Sequence, residues 1–255
     1  MNAEADGAPG GVTAGELLEA AADLVAAGSD AGVRMRLLGG IAVYHLTSSS
    51  REPPLKRRYH DFDIVVPRKS GAAAGRVFEA LGYRADSHFN ALHGAHRMIF
   101  RSSRGFVVDV LVGTFQMCHR LELGHDLPEA GLTIHPADLL LTKLQIIEIE
   151  EKDLQDSAAL LSDLAVSHQD LGISPERFIR PLAGDWGFFH TVERNLPRVA
   201  EYGRTHLDRS RAEAVAGSAT ALEQAMSDAP KSVKWKMRAR VGEKVTWYEL
   251  PEEVG

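Results

Sequence analysis

The sequence predicts an α/β (α+β) chain: short strands and helices interleave first, a mainly helical region follows, and a β-hairpin closes it. Three observations carry this. Phe62-Asp63-Ile64-Val65-Val66 and Phe106-Val107-Val108-Asp109-Val110-Leu111-Val112 are rich in β-branched and aromatic residues, as strands are. Gly39-Gly40 stands between a strand-like and a helix-like stretch. From Pro136 onward, apolar residues recur at helical spacing.

Thr13-Ala14-Gly15-Glu16 has the form of a capping box, and Leu17, Leu18, Ala21, Leu24 and Val25 continue it as a helix to about Ala27. Val33 to Leu38 reads as a short strand running into Gly39-Gly40, and Ile41 to Leu46 as a helix. Glycines let a ligand approach the backbone, and a helix start offers free N–H groups, so this arrangement can hold a phosphate. Thr47 to Tyr59 is a polar loop carrying Lys56, Arg57 and Arg58. Those three are either a solvated turn or an acceptor-binding patch.

The next strand opens His60-Asp61-Phe62-Asp63. Residues i and i+2 of a strand share a face, so Asp61 and Asp63 project together. Two like charges that close repel unless a cation lies between them, and hard oxygen ligands suit Mg²⁺. A helix from Ala72 to Leu81, a short strand at Tyr83 to Ala85, and strands at Arg97 to Phe100 and Phe106 to Val112 follow. Asp109 falls within the most apolar of these, where a carboxylate is costly unless it is paired or metal-bound. Three carboxylates on neighbouring strands beside a glycine loop suit nucleotidyl transfer, in which two Mg²⁺ (or Mn²⁺) ions hold an NTP triphosphate and activate a hydroxyl.

Helices are expected from His135-Pro136-Ala137-Asp138 to Ile147, from Asp153 to Leu161, from Ser174-Pro175, over Asp185 to Leu196 and Pro197 to Leu207, and over Arg209 to Ser227. Val233 to Val241 alternates strictly, with Lys234, Lys236, Arg238 and Arg240 on one face. Gly242-Glu243 and Lys244 to Leu250 complete the expected β-hairpin, whose basic face would be a solvated edge or an RNA contact. His88, His93, His96, His119 and His125 show no metal-ligand spacing.

Composition sets the bounds. The chain has 255 residues, a net charge of −6 and 44% hydrophobic residues, so no global basic field attracts nucleic acid. No stretch has the apolar length of a membrane span. Cys118 is the lone cysteine, which excludes an internal disulfide and fits a reducing, cytoplasmic setting. The domain order expected is a disordered head over 1–12, a catalytic core over 13–135, a helical region over 136–228 and the hairpin tail over 229–255.

Gly39-Gly40, Asp61-Phe62-Asp63 and Asp109, in this order and setting, resemble the signature of the nucleotidyltransferase superfamily of DNA polymerase beta type. Asp138-Leu-Leu-Leu-Thr-Lys143 followed by Lys152-Asp153-Leu-Gln-Asp156 is similar to the AbiEii-type members, many of them toxins of toxin–antitoxin pairs. The likeness spans about residues 33 to 165. The interval between Gly40 and Asp61 is longer than is usual there. The resemblance implies a small mixed β-sheet core flanked by helices, an NTP substrate held at Gly39 and Gly40, and metal held by Asp61, Asp63 and Asp109. It further implies a phosphate contact from Lys143, support from Asp153, an acceptor that is an RNA 3′ end or a small-molecule hydroxyl, and an antitoxin protein as partner. A member of the fold that binds nucleotide or a partner without catalysis is the non-enzymatic alternative.

Overall fold

Thr13 caps the first helix, α1 (Ala14–Asp30), by accepting from the Glu16 backbone while the Glu16 carboxylate accepts from the Thr13 N–H at 2.8 Å. The expected box therefore forms, and the helix runs three residues past the expected end. The structure, a computed structural model, describes residues 11–169 and 171–250. Most of the head, and Pro251 to Gly255, lie outside the described residues.

The chain divides into two units that interleave along the sequence. The first is Met1–Ile41, Arg58–Gly113 and Gly124–Leu132; the second is Ala42–Arg57, Thr114–Leu123 and Thr133–Gly255. Cuts at 135 and 228 thus do not separate compact bodies, because segments after Ile41 and Gly113 leave the first unit and return to it.

The first unit is built on a mixed sheet. Its strands are β1 (Arg36–Leu38), β2 (Asp61–Val66), β3 (Arg84–Ala85), β4 (Arg97–Arg101) and β5 (Val107–Val112), in the order β1-β2-β5-β4-β3. β2 and β5 are parallel, with Phe62 opposite Val108 and Ile64 opposite Val110; β1 and β4 run antiparallel to their neighbours. The period-2 alternation sets the two faces. Phe62, Ile64, Val66, Val108, Val110, Met98 and Phe100 form the buried face. α3 (Gly71–Ala80) packs on it, with Phe78 stacked on Phe100 at 4.5 Å, and α1 packs beside α3. A short helix, α4 (Ser87–His93), is capped by Asp86 and was not expected from the sequence.

β1 leads without a loop into α2 (Gly39–Leu46). In the second unit β6 (Thr114–Gln116) and β7 (Arg120–Glu122) form a two-stranded ribbon. The helices of that unit are α5 (Pro136–Leu144), α6 (Glu151–Asp163), α7 (Pro175–Leu182), α8 (Trp186–His206), α9 (Arg209–Asp228) and α10 (Val233–Val241). Leu140, Leu144, Leu160, Phe188, Val192, Leu196, Val215 and Leu222 lie in its core. α8 passes through Pro197, where the sequence suggests two helices. Asn195 on this helix donates to the Leu144 and Ile146 carbonyls at 2.9 and 2.8 Å, satisfying the end of α5.

The C-terminal β-hairpin does not form. Val233–Val241 is helix α10, and Gly242–Lys244 is a 3-10 turn. Lys, Arg, Met and Ala are good helix formers, and Ser232 supplies a cap, its hydroxyl accepting from the Trp235 N–H at 3.1 Å. On a helix, Val233, Met237 and Val241 recur at i, i+4 and i+8 and stay exposed. Arg238 turns the other way: it lies 4.7 Å from the Trp186 ring and donates to the Gly242 and Val245 carbonyls. The alternating cations therefore do not form one basic sheet face.

Candidate active site

In the first unit the sheet gathers the three expected carboxylates on one face. Asp63 lies directly opposite Asp109 across the parallel pair, and Asp61 stands two residues back on the same side of β2. Asp61 is exposed and Asp63 and Asp109 are half-buried, while Phe62 between them points into the core.

Gly39 closes one end of this face. Its φ is +72°, in the left-handed region that glycine enters without penalty. A Cβ built on Gly39 would fall 1.9 Å from Asp63 Oδ2. The carboxylate therefore lies against the backbone where α2 begins, and only glycine admits it. Gly40 is the next residue of the same helix start.

Arg97, which no sequence motif singles out, also belongs to this face. It sits on β4 two residues from Ile99, the partner of Asp109. Its Nε and Nη2 donate to the two Asp109 oxygens at 2.7 and 3.1 Å, a bidentate pair. These hydrogen bonds hold the guanidinium above its ordinary pKa against the opposing effect of burial; the charges of Asp109 and Asp63 add to them. The signal lay in the phase of Arg97 along its strand, legible only once the β4–β5 register is known. Arg36 is on the same sheet face and almost fully buried. It donates to the Met35 carbonyl at 2.6 Å while its Nε finds no partner. Burial, with the nearby Arg34 charge, lowers its pKa.

Mg²⁺ at nucleotide sites takes one or two carboxylates and fills its octahedron with phosphate oxygens and water. Asp61 and Asp63, on one face of β2, are the residues that could supply such carboxylates. Among the described residues no group of three or more His, Cys, Asp or Glu side chains could hold a metal ion on its own.

Lys143 and Asp153 lie in the second unit, in a buried ionic cluster. Lys143 Nζ is 2.9 Å from Asp156 Oδ2 and 3.4 Å from Asp153 Oδ1. Arg57 grips Asp156 bidentately at 3.0 and 2.9 Å. Side-chain exposures of 12%, 4% and 2% for Lys143, Asp153 and Asp156 put the cluster beyond solvent screening. Burial works to lower the Lys143 pKa, but the Asp156 and Asp153 charges outweigh it and hold it above the ordinary value. Burial raises Asp153, which Lys143 only partly offsets. For Asp156 burial is again the largest influence, yet Lys143 and Arg57 together pull its pKa down. Of the basic triplet, Arg57 turns inward to this cluster, whereas Lys56 and Arg58 are exposed. Nearby, Asp163 accepts from the Ser48 and Ser49 N–H groups at 2.7 and 2.9 Å and ties down the start of the long loop.

The histidines divide as well. His119 is buried: it stacks on Phe188 at 5.1 Å and its Nε2 lies 2.7 Å from the Thr191 hydroxyl. Cys118 is buried and unbridged. No helix among the described residues is long and apolar enough to cross a membrane.

Compared with protein-family models and with curated proteins, the sequence gives no match. Among solved structures the chain is similar to an antigenic nucleotidyltransferase-like protein from Paracoccidioides brasiliensis. The two share 14% identity, the match covers 87% of this chain and 96% of that chain, and the TM-score is 0.44. A likeness at that level carries no argument about activity. The mixed sheet, with Asp61, Asp63 and Asp109 on the face opposite the Phe62 and Phe100 side, stands on the geometry above.

Proposed function

We propose that the chain is a Mg²⁺-dependent nucleotidyltransferase that moves an NMP from an NTP to an acceptor hydroxyl and releases pyrophosphate. The observation that carries this reading is the meeting of Asp61, Asp63 and Asp109 on one sheet face with Gly39 and the start of α2. In this reading Asp61 and Asp63 hold Mg²⁺, and Asp109 completes the negative face. Gly39 and Gly40, at the helix start, receive the triphosphate through backbone N–H groups. When bound, the ion neutralises phosphate charge as the α-phosphorus is attacked. The α–β phosphoanhydride bond breaks, the new P–O bond forms to the acceptor oxygen, and the acceptor proton leaves to solvent or a carboxylate. The residues hold the phosphates in line with that oxygen, which is where most of the rate enhancement in phosphoryl chemistry arises.

The acceptor we favour is an RNA 3′ end. The likeness of the Lys143 to Asp156 stretch to AbiEii-type toxins supports it, and with it an antitoxin partner and a cytoplasmic setting. Exposed Lys56 and Arg58 are candidates for acceptor contact. Incubation with radiolabelled NTPs, Mg²⁺ and either total tRNA or an aminoglycoside panel separates the acceptors. Label on tRNA is expected, reduced at least 10³-fold in Asp63→Ala. Label on an aminoglycoside would identify a small-molecule enzyme. Nucleotide bound without transfer to either would identify a binding protein and overturn the enzymatic reading.

A further inference from the structure

α4 sets an aromatic pair at the β4 edge of the carboxylate face, and the nucleotidyltransferase reading leaves it unused. We propose that Phe89 and His93 form a stacking platform for a nucleobase, carried either by the incoming NTP or by the terminal nucleotide of an RNA acceptor. The inference rests on that reading and deepens it, because metal and glycines account for the phosphates but leave the base unheld.

The sheet itself mounts the pair. Ile99, the strand partner of Asp109, has both backbone groups taken by Asn90 of α4. Asn90 Nδ2 donates to the Ile99 carbonyl at 3.1 Å, and its Oδ1 accepts from the Ile99 N–H at 2.7 Å. The Asp86 N–H donates to the same carbonyl at 2.9 Å, and the Asp86 carboxylate caps α4 by accepting from the Phe89 N–H at 3.2 Å. α4 is thereby tied to β4 beside the position that pairs with Asp109. From this mount the Phe89 ring lies 5.6 Å from the guanidinium carbon of Arg97, and Arg97 in turn holds Asp109. Phe89 thus continues the row Asp63, Asp109, Arg97 across β2, β5 and β4, and it is not among the core rings Phe78 and Phe100. His93, one turn further on, lies against Phe89 with ring centroids 4.7 Å apart and planes inclined by 34°. His93 and its neighbour Leu92 are exposed. Two strand spacings, about 10 Å, separate β2 from β4, a span that one nucleotide bridges. Bases stack on Phe and His rings whatever their identity, because every base has a π-face. An exposed imidazole backed by a fixed phenyl ring, beside a face that suits phosphate and metal, is the arrangement such stacking uses.

Binding tests this without reference to turnover. Titration calorimetry of the full chain with Mg²⁺ compares α,β-methylene analogues of the four NTPs with inorganic tripolyphosphate, which has no base. A second arm compares an RNA hairpin with a single-stranded 3′ end against the same RNA lacking its terminal base. In at least one arm the wild type should prefer the ligand that carries the base by about tenfold or more. Phe89→Ala and His93→Ala should each cut that preference to under about threefold, while Phe89→Trp keeps it. Tripolyphosphate affinity should stay within about twofold in every variant, because phosphate and metal are held elsewhere on the face. A preference in the NTP arm assigns the platform to the incoming nucleotide, and one in the RNA arm assigns it to the acceptor. No preference in either arm, a preference that survives both alanine variants, or an equal loss for tripolyphosphate overturns the proposal. Should Phe89→Ala fail to fold, the exposed His93→Ala decides. NMP transfer with a preference that neither variant moves would sink the platform and leave the nucleotidyltransferase standing; a platform-dependent preference with no transfer to any acceptor would do the reverse.

Discussion

Gly39 shows how much one side chain can exclude. Its positive φ and the position of Asp63 Oδ2 each forbid a Cβ there. An L-residue in the left-handed region costs about 1–2 kcal/mol, and the carboxylate must also move. Gly39→Ala should therefore lower stability by roughly that amount and weaken Mn²⁺ binding at least tenfold, read by urea denaturation and paramagnetic resonance. Unchanged metal affinity would mean that the Asp63 position does not matter to the site. Lys143 poses the opposite case. A lysine waiting for a phosphate would be dispensable to the fold, whereas this one is clamped by two buried carboxylates. Breaking one partner out of a buried cluster costs about 3–5 kcal/mol. Lys143→Met should accordingly lose about that much stability in urea. A loss under about 0.5 kcal/mol, the range of an ordinary surface change, with a raised KM for NTP, would return Lys143 to a binding role.

α10 is a helix where strict alternation predicts a strand, and a pair of prolines checks it. Val233 is the first helical residue after the Ser232 cap, a position that tolerates proline; Met237 lies mid-helix, where proline costs about 3 kcal/mol or more. Hydrogen exchange over residues 234–241 should keep its protection in Val233→Pro and lose it in Met237→Pro. Equal loss in both would favour a strand, since both positions fall on one strand face. The pattern of Val233 to Val241 satisfies period 2 and period 4 alike, so periodicity could not choose; the serine cap and the helix-forming residues did. Elsewhere the local chemistry was legible. The Thr13 capping box, the Pro136 and Pro175 helix starts and the β2 and β5 runs all stand where composition places them. Sheet order and register were not legible, because they depend on pairings between distant residues. For that reason Asp61, Asp63 and Asp109 could be named from sequence, whereas the grip of Arg97 on Asp109 could not. Likewise Arg57 read as part of a loop triplet, and only the fold sets it against Asp156.

For the stability of the whole molecule, acid should act first through His119. Burial among Phe188, Thr191 and the loop held by Gln145 lowers its pKa from 6.5 to about 4, although the charges of Asp185 and Glu249 pull the other way. An unfolded chain binds a proton at this site below about 6.5, whereas the native chain resists it down to about 4. Between these values the unfolded state holds more protons, so unfolding free energy rises with pH. The native state is therefore expected to lose about 3 kcal/mol as pH falls from 7 to 4, before most carboxylates titrate. His119→Gln keeps a polar side chain and removes the titration, so its urea midpoint should fall less steeply across the same window. Wild type and variant falling in parallel from pH 7 to 4.5 would show that His119 accepts its proton in the folded protein. The buried Asp156 adds its own loss lower down, since its depressed folded pKa makes its contribution present above about 3.8 and lost below. Burial thus separates the two groups: the imidazole that cannot be charged yields between about 6.5 and about 4, before the carboxylate held by Lys143 and Arg57 does.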